Sequence, residues 1–85
     1  MIGDIERTFL KLLHAERLNP EIPLPDESTE RILELLDMAE DRRDSEIRSW
    51  NDGTISEEEM LRSTNRLAGV TLYLQARLAK MPVSA

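Results

Sequence analysis

The chain has no cysteine, one histidine, three glycines and only three aromatic residues in 85 positions. Without cysteine there is no disulfide, no zinc–thiolate site and no thiol nucleophile. That composition is compatible with the cytoplasm, the location expected for the chain. A single histidine, His14, excludes a multi-histidine metal site within one subunit. The glycines at 3, 53 and 69 are too scattered to form a phosphate-cradling loop. Long apolar runs are also missing: none approaches the ~20 residues of a membrane span. The opening MIGDIERTF has neither the basic start nor the apolar stretch of a signal peptide.

Charge is abundant. Seventeen acidic residues outweigh nine arginines and two lysines, for a net charge of −6. Such a balance repels nucleic acid, so no duplex partner is expected, although a local arginine cluster can still hold a phosphate. A chain of this length forms one domain with a thin core, and oligomerisation is a common remedy.

Three helical segments are legible. The first spans about 2–17, where Ile2, Ile5, Phe9, Leu12 and Leu13 recur at three- and four-residue spacing on one face. Asp4 and Glu6 suit the positive end of its dipole. The segment 18–27 holds prolines at 20, 23 and 25 and cannot be helix interior. Its Ile22 and Leu24 predict an ordered strap with apolar cover. The second helix covers about 28–51, capped by Asp26 or Ser28, with Glu27 and Glu30 suited to its first turn. Ile32, Leu35, Leu36, Ala39, Ile47 and Trp50 are its apolar positions, interrupted by Arg43 and Glu46. The third covers about 56–80 and ends at Pro82. Its apolar residues occupy more than one face in the last half, which a two-helix hairpin alone cannot cover and which points to self-association. Mid-helix Gly69 costs ~1 kcal/mol relative to alanine and is suited to close approach of another helix.

The stretch NDGTISEEEM (51–60) resembles a calcium-binding loop. With Gly53 at loop position 6, Glu59 falls at position 12 and Asp52 at position 5. Arg48 then occupies position 1 and Trp50 position 3, replacing two oxygen ligands with a cation and an indole. Calcium binding is therefore not expected. The same residues make a turn at Asn51-Asp52-Gly53 and a capping box at Ser56 and Glu59, in which the serine hydroxyl accepts a backbone N–H and the glutamate reaches back to the serine N–H.

No catalytic set is apparent. His14 has no nucleophile and orienting partner near it in sequence, and carboxylate pairs such as Asp37/Asp41 arise by chance in so acidic a chain. Glu-x-x-His motifs of di-iron bundles are absent. Duplex reading by the third helix is opposed by the three glutamates 57–59 at its start. No enzyme activity, cofactor or metal is expected.

The layout of short amphipathic helix, proline strap and two long helices resembles the phage anti-CBASS proteins that sequester cyclic nucleotides. The likeness is carried by IERTF (5–9), by the prolines followed by Glu30-Arg31, and by STNRLAGVTLYLQARLA (63–79) with its small-residue pattern. A gap around 11–19 has to be allowed. The resemblance implies a non-catalytic, phage-type anti-defence role. It also implies an oligomer whose ligand sits between subunits, with phosphates held by basic or hydroxyl groups. Lys11, His14 and Arg17 are the candidate donors of one pocket by position, and Arg42, Arg43, Arg62 and Arg66 of another. Each arginine has a plainer reading as a solvated or i,i+4-paired side chain, Arg62 with Glu58 and Arg43 with Glu40 or Asp44 among them.

The expected fold is all-α: an antiparallel helical hairpin crossed by a short N-terminal helix and a proline-rich strap. The expected function is that of an acidic, homo-oligomeric inhibitor or adaptor that blocks a protein partner. The alternatives are a sponge for cyclic oligonucleotides and a purely structural or assembly protein. Phe9, Trp50, Leu67, Gly69, Tyr73 and Leu74 are the expected interface residues. A blocking role predicts an exposed apolar or acidic patch near Trp50 or Tyr73. A sponge predicts arginines converging on a concave inter-subunit pocket.

Overall fold

The computed structural model describes residues 3–82, and all its regular structure is helical: α1 (Asp4–His14), α2 (Thr29–Asn51) and α3 (Glu57–Ala79). Helices α2 and α3 form the antiparallel hairpin, and α1 lies across one of its faces. The start of α1 meets the start of α2, where Arg31 Nη2 donates to Asp4 Oδ2 at 2.7 Å and to Thr8 Oγ1 at 3.0 Å. Its end meets α3, where Arg66 Nη1 donates to Leu13 O at 2.9 Å. Eleven residues give α1 a length of about 16 Å, against about 35 Å for each hairpin helix, so it shields only part of one face.

Local sequence explains most boundaries. Ser28 caps α2 by accepting Arg31 N at 3.1 Å. Asp26, the other candidate cap, instead turns the strap at a φ of 53°, a left-handed geometry that aspartate tolerates better than most residues. At the far end Gly53, with φ 78°, lets Thr54 N bond back to Ser49 O at 2.8 Å. Ser56 Oγ accepts Glu59 N at 3.1 Å, as a capping box requires. The reciprocal half differs: Glu59 Oε1 accepts the Ser56 hydroxyl at 3.3 Å, not the Ser56 N–H.

The first helix is shorter than its sequence predicts. It stops at His14, and Ala15 is extended with ψ 134°. Residues 15–17 are good helix formers, yet Arg66 caps the Leu13 carbonyl from across the fold, and the chain turns so that Leu18 packs against the core. The strap accordingly runs over 15–28. Leu24 is buried, whereas Ile22 lies open to solvent, contrary to expectation. Ile2, assigned to the first apolar face, lies outside the described residues.

The core gathers Phe9, Leu12 and Leu13 of α1, Leu24 of the strap, Ile32, Leu35 and Ala39 of α2, and Leu67, Val70, Tyr73 and Leu74 of α3. Four of the six expected interface residues, Phe9, Leu67, Tyr73 and Leu74, are therefore filled positions of the protomer's own core. Their side chains are spent on intramolecular packing and are not available to a partner.

A polar clamp holds the strap. Arg77 grips Glu27 with two parallel bonds, Nε to Oε1 and Nη2 to Oε2, each 2.7 Å, and its Nη1 donates to Pro20 O at 2.9 Å. Glu27 Oε1 also accepts Leu24 N at 3.2 Å, and Tyr73 donates its hydroxyl to Ile22 O at 2.6 Å. Glu27 thus precedes the cap of α2 and serves the strap rather than the first turn. Its carboxyl is held below the usual glutamate range chiefly by the hydrogen bonds from Arg77. Burial pushes the Tyr73 phenol up, so it remains a protonated donor.

Candidate functional site

The residues that cap α1 also shape a cleft. Leu10, Leu13 and His14 from the last turns of α1 form one wall. Arg42 and Glu46 from the middle of α2 form the second, and Arg62, Ser63 and Arg66 from the first half of α3 the third, with Leu67 beneath. The opening measures about 350 Å³. Three arginines against one glutamate make its lining cationic in a chain whose net charge is −6. Counting Glu58, which pairs with Arg62 at the rim, the excess at the cleft is one positive charge.

Each arginine is oriented by a local partner. Arg62 pairs with Glu58 at 3.1 Å, one turn back on α3. Arg42 Nε lies 3.5 Å from Glu46 Oε1 on α2. Arg66 is fixed by the Leu13 carbonyl, the negative end of α1. A guanidinium carries five N–H donors, so one bond of this kind leaves most of Arg66 for a ligand. The chemistry on offer is bidentate recognition of phosphate or carboxylate. Among the described residues no group of three or more histidine, aspartate or glutamate side chains is placed to hold a metal ion.

Of the seven residues proposed as ligand donors, the structure brings together His14, Arg42, Arg62 and Arg66. His14 from one group of candidates and Arg42, Arg62 and Arg66 from the other line the same cleft of a single chain. Lys11 and Arg17 are exposed and do not line it. Arg43 lines a separate groove between α2 and α3. The i,i+4 pairing expected of Arg62 with Glu58 is present. The pairing expected of Arg43 is not among the ion pairs of the described residues, and it is Arg42 that pairs along α2. Glu46, read only as a break in an apolar stripe, is the missed member of the site. Its four-residue spacing from Arg42 was the available signal.

Trp50 remains partly exposed. Gly69 is exposed, and a Cβ built on it meets no atom within 4 Å. Among the described residues no other helix packs against it. Gly69→Ala is therefore expected to raise stability by about 0.5–1 kcal/mol through helix propensity, measurable as a higher urea midpoint with an unchanged slope. A destabilised variant would show that the glycine is needed for close contact.

No family model matches the chain, and no curated protein or solved structure matches it either. No described helix is long and apolar enough to cross a membrane.

Proposed function

We propose that this chain is a non-catalytic binding protein that sequesters a phosphate-bearing small molecule in the arginine-lined cleft. The observation that carries the reading is the convergence of Arg42, Arg62 and Arg66, from two helices, with His14 at the end of a third. The volume lies at the low end of the ~300–1,000 Å³ of ligand sites, and the open mouth suits a ligand that protrudes. The likeness to anti-CBASS sponges makes cyclic oligonucleotides the first class to try. A second reading, a protein-blocking role, is favoured by one observation: Leu33, Leu61 and Leu72 are exposed large apolar side chains of the hairpin.

Native mass spectrometry with cyclic di- and trinucleotides, and with inorganic pyrophosphate as a minimal probe, tests the proposal. Ligand mass is expected to appear in stoichiometric steps. The double variant Arg42→Ala/Arg62→Ala is expected to bind at least about tenfold more weakly, since two charge-assisted bonds are lost. Lys11→Ala and Arg17→Ala are expected to bind like the parent. No mass gain with any of these probes, or equal losses in all variants, overturns the reading.

A further inference from the structure

The second helix carries two stripes. Ile32, Leu35 and Ala39 face the core. Beside them, Leu33, Leu36, Glu40, Arg43, Ile47 and Trp50 recur at alternating three- and four-residue spacing, the period of a coiled-coil seam. This second stripe is only partly covered within the chain: Leu36 packs against the edge of the core and Ile47 is half-buried. Leu33 is 50% and Trp50 39% exposed, and Glu40 and Arg43 are exposed between them. Leu36, Glu40 and Arg43 line a groove of about 610 Å³ whose other bank is α3. No residue of α1 takes part, and the groove shares only the buried Leu67 with the arginine cleft.

By character the stripe is complementary to its own reversal: apolar, apolar, acidic, basic, apolar, apolar in one direction, with acidic and basic exchanged in the other. Two copies of α2 laid antiparallel about a two-fold axis between residues 41 and 42 bring Leu33 to Trp50, Leu36 to Ile47 and Glu40 to Arg43. Each contact then occurs twice, as an isologous interface demands. Glu40 and Arg43 are in none of the ion pairs formed among the described residues. On α3 the middle of the same face is small, with Thr64 and Ala68 lining the groove. Leu61 and Leu72, 49% and 67% exposed, flank it. Small residues at the centre admit close helix approach, and the leucines need cover.

We infer that the open face of the α2–α3 hairpin is the interface of a symmetric homodimer, with α2 antiparallel to its copy and held in register by reciprocal Glu40–Arg43 pairs. A face about 35 Å long and about 20 Å wide offers ~700 Å² per protomer, near the ~800 Å² of a standard stable interface. A second copy satisfies the pattern by its own symmetry, whereas a foreign helix would have to carry the complementary order independently. The arginine cleft stays open in such a dimer, one per protomer, so the dimer and the anion site stand or fall separately.

Sedimentation equilibrium of the full chain tests the dimer. Wild type is expected to dimerise. Glu40→Arg and Arg43→Glu each set like charges against each other at both symmetric contacts, and each is expected to raise the dissociation constant by about tenfold or more. The double variant Glu40→Arg/Arg43→Glu exchanges the signs and is expected to recover dimerisation, with helical circular dichroism unchanged throughout. Because the chain has no cysteine, Leu33→Cys/Trp50→Cys gives an independent readout. The two positions lie about 25 Å apart along one helix, beyond the reach of an intrachain disulfide, and an interchain disulfide is expected on oxidation. A wild type that stays monomeric at several hundred micromolar would leave the face to a foreign helix and overturn the inference. So would a dimer indifferent to both charge reversals, or efficient cross-linking of Leu33→Cys to itself.

Discussion

Leu74→Ala is expected to destabilise the protein by about 3–4 kcal/mol, while Leu72→Ala, two positions earlier, costs under about 0.5 kcal/mol of protomer stability. Leu74 is 0% exposed at the centre of the core, and Leu72 is 67% exposed on the open face. Truncating a buried leucine loses its transfer free energy and leaves a cavity that the neighbours only partly fill. A small domain has about 5–15 kcal/mol in total, so Leu74→Ala is expected to lower the melting temperature by about 15–30 °C. Urea unfolding at concentrations where the chain is monomeric separates the two effects. Similar losses for both variants would mean that the stripes have been assigned to the wrong sides.

The second large effect concerns the strap. Arg77 is only 9% exposed although it lies in the last turn of α3, and its bidentate pairing with Glu27 is the sheltered one of two ionic ties between this end of the hairpin and the strap, the other being the exposed Lys80–Glu21 pair. Glu27→Ala leaves the guanidinium largely sheltered with one bond, to Pro20 O, and frees Leu24 N. Breaking one side of a sheltered pair is costly because the other charge stays behind, and the melting temperature is expected to fall by about 10 °C. Replacing both partners, Glu27→Leu/Arg77→Met, is expected to recover most of that loss.

The same pair sets an acid limit. Because the folded-state Glu27 carboxyl titrates below its ordinary value, the unfolded chain takes up the proton first. The stabilisation is fully present above the ordinary glutamate range and disappears as the pH falls through the lowered folded-state value. Thermal melts of wild type and Glu27→Leu/Arg77→Met are expected to lie close together at pH 7 and to separate toward pH 3, where only wild type loses the contribution of the charged pair. A constant gap between the two across that range would remove Glu27 as the titrating group.

Much of this architecture was legible in one dimension. The caps at Ser28 and Ser56, the turn at Gly53 and the stop at Pro82 are local matters of hydrogen bonding and φ, decided by residues next to one another, and the two long helices follow from them. The calcium-like letters around Gly53 resolve into a helix corner for the same reason. The candidate site was half legible. Arginine is easily noticed in an acidic chain, but which arginines meet depends on how α1 crosses the hairpin. Arg43 and Arg42 are adjacent in sequence, yet a 100° step around the helix sends one to the cleft and the other to the open groove.

The sequence by itself therefore determined the helical class, the order of the elements, the strap and the excess of apolar surface on α3. Only the tertiary structure decided where α1 ends, because its C-terminal cap is supplied by Arg66 from 53 positions away. It decided that Arg77 is buried, because its partner Glu27 lies 50 positions back. It also decided which apolar stripe is core and which remains open. Periodicity reports how many faces of a helix are apolar, and the side on which each face finds its cover is fixed only when the helices pack.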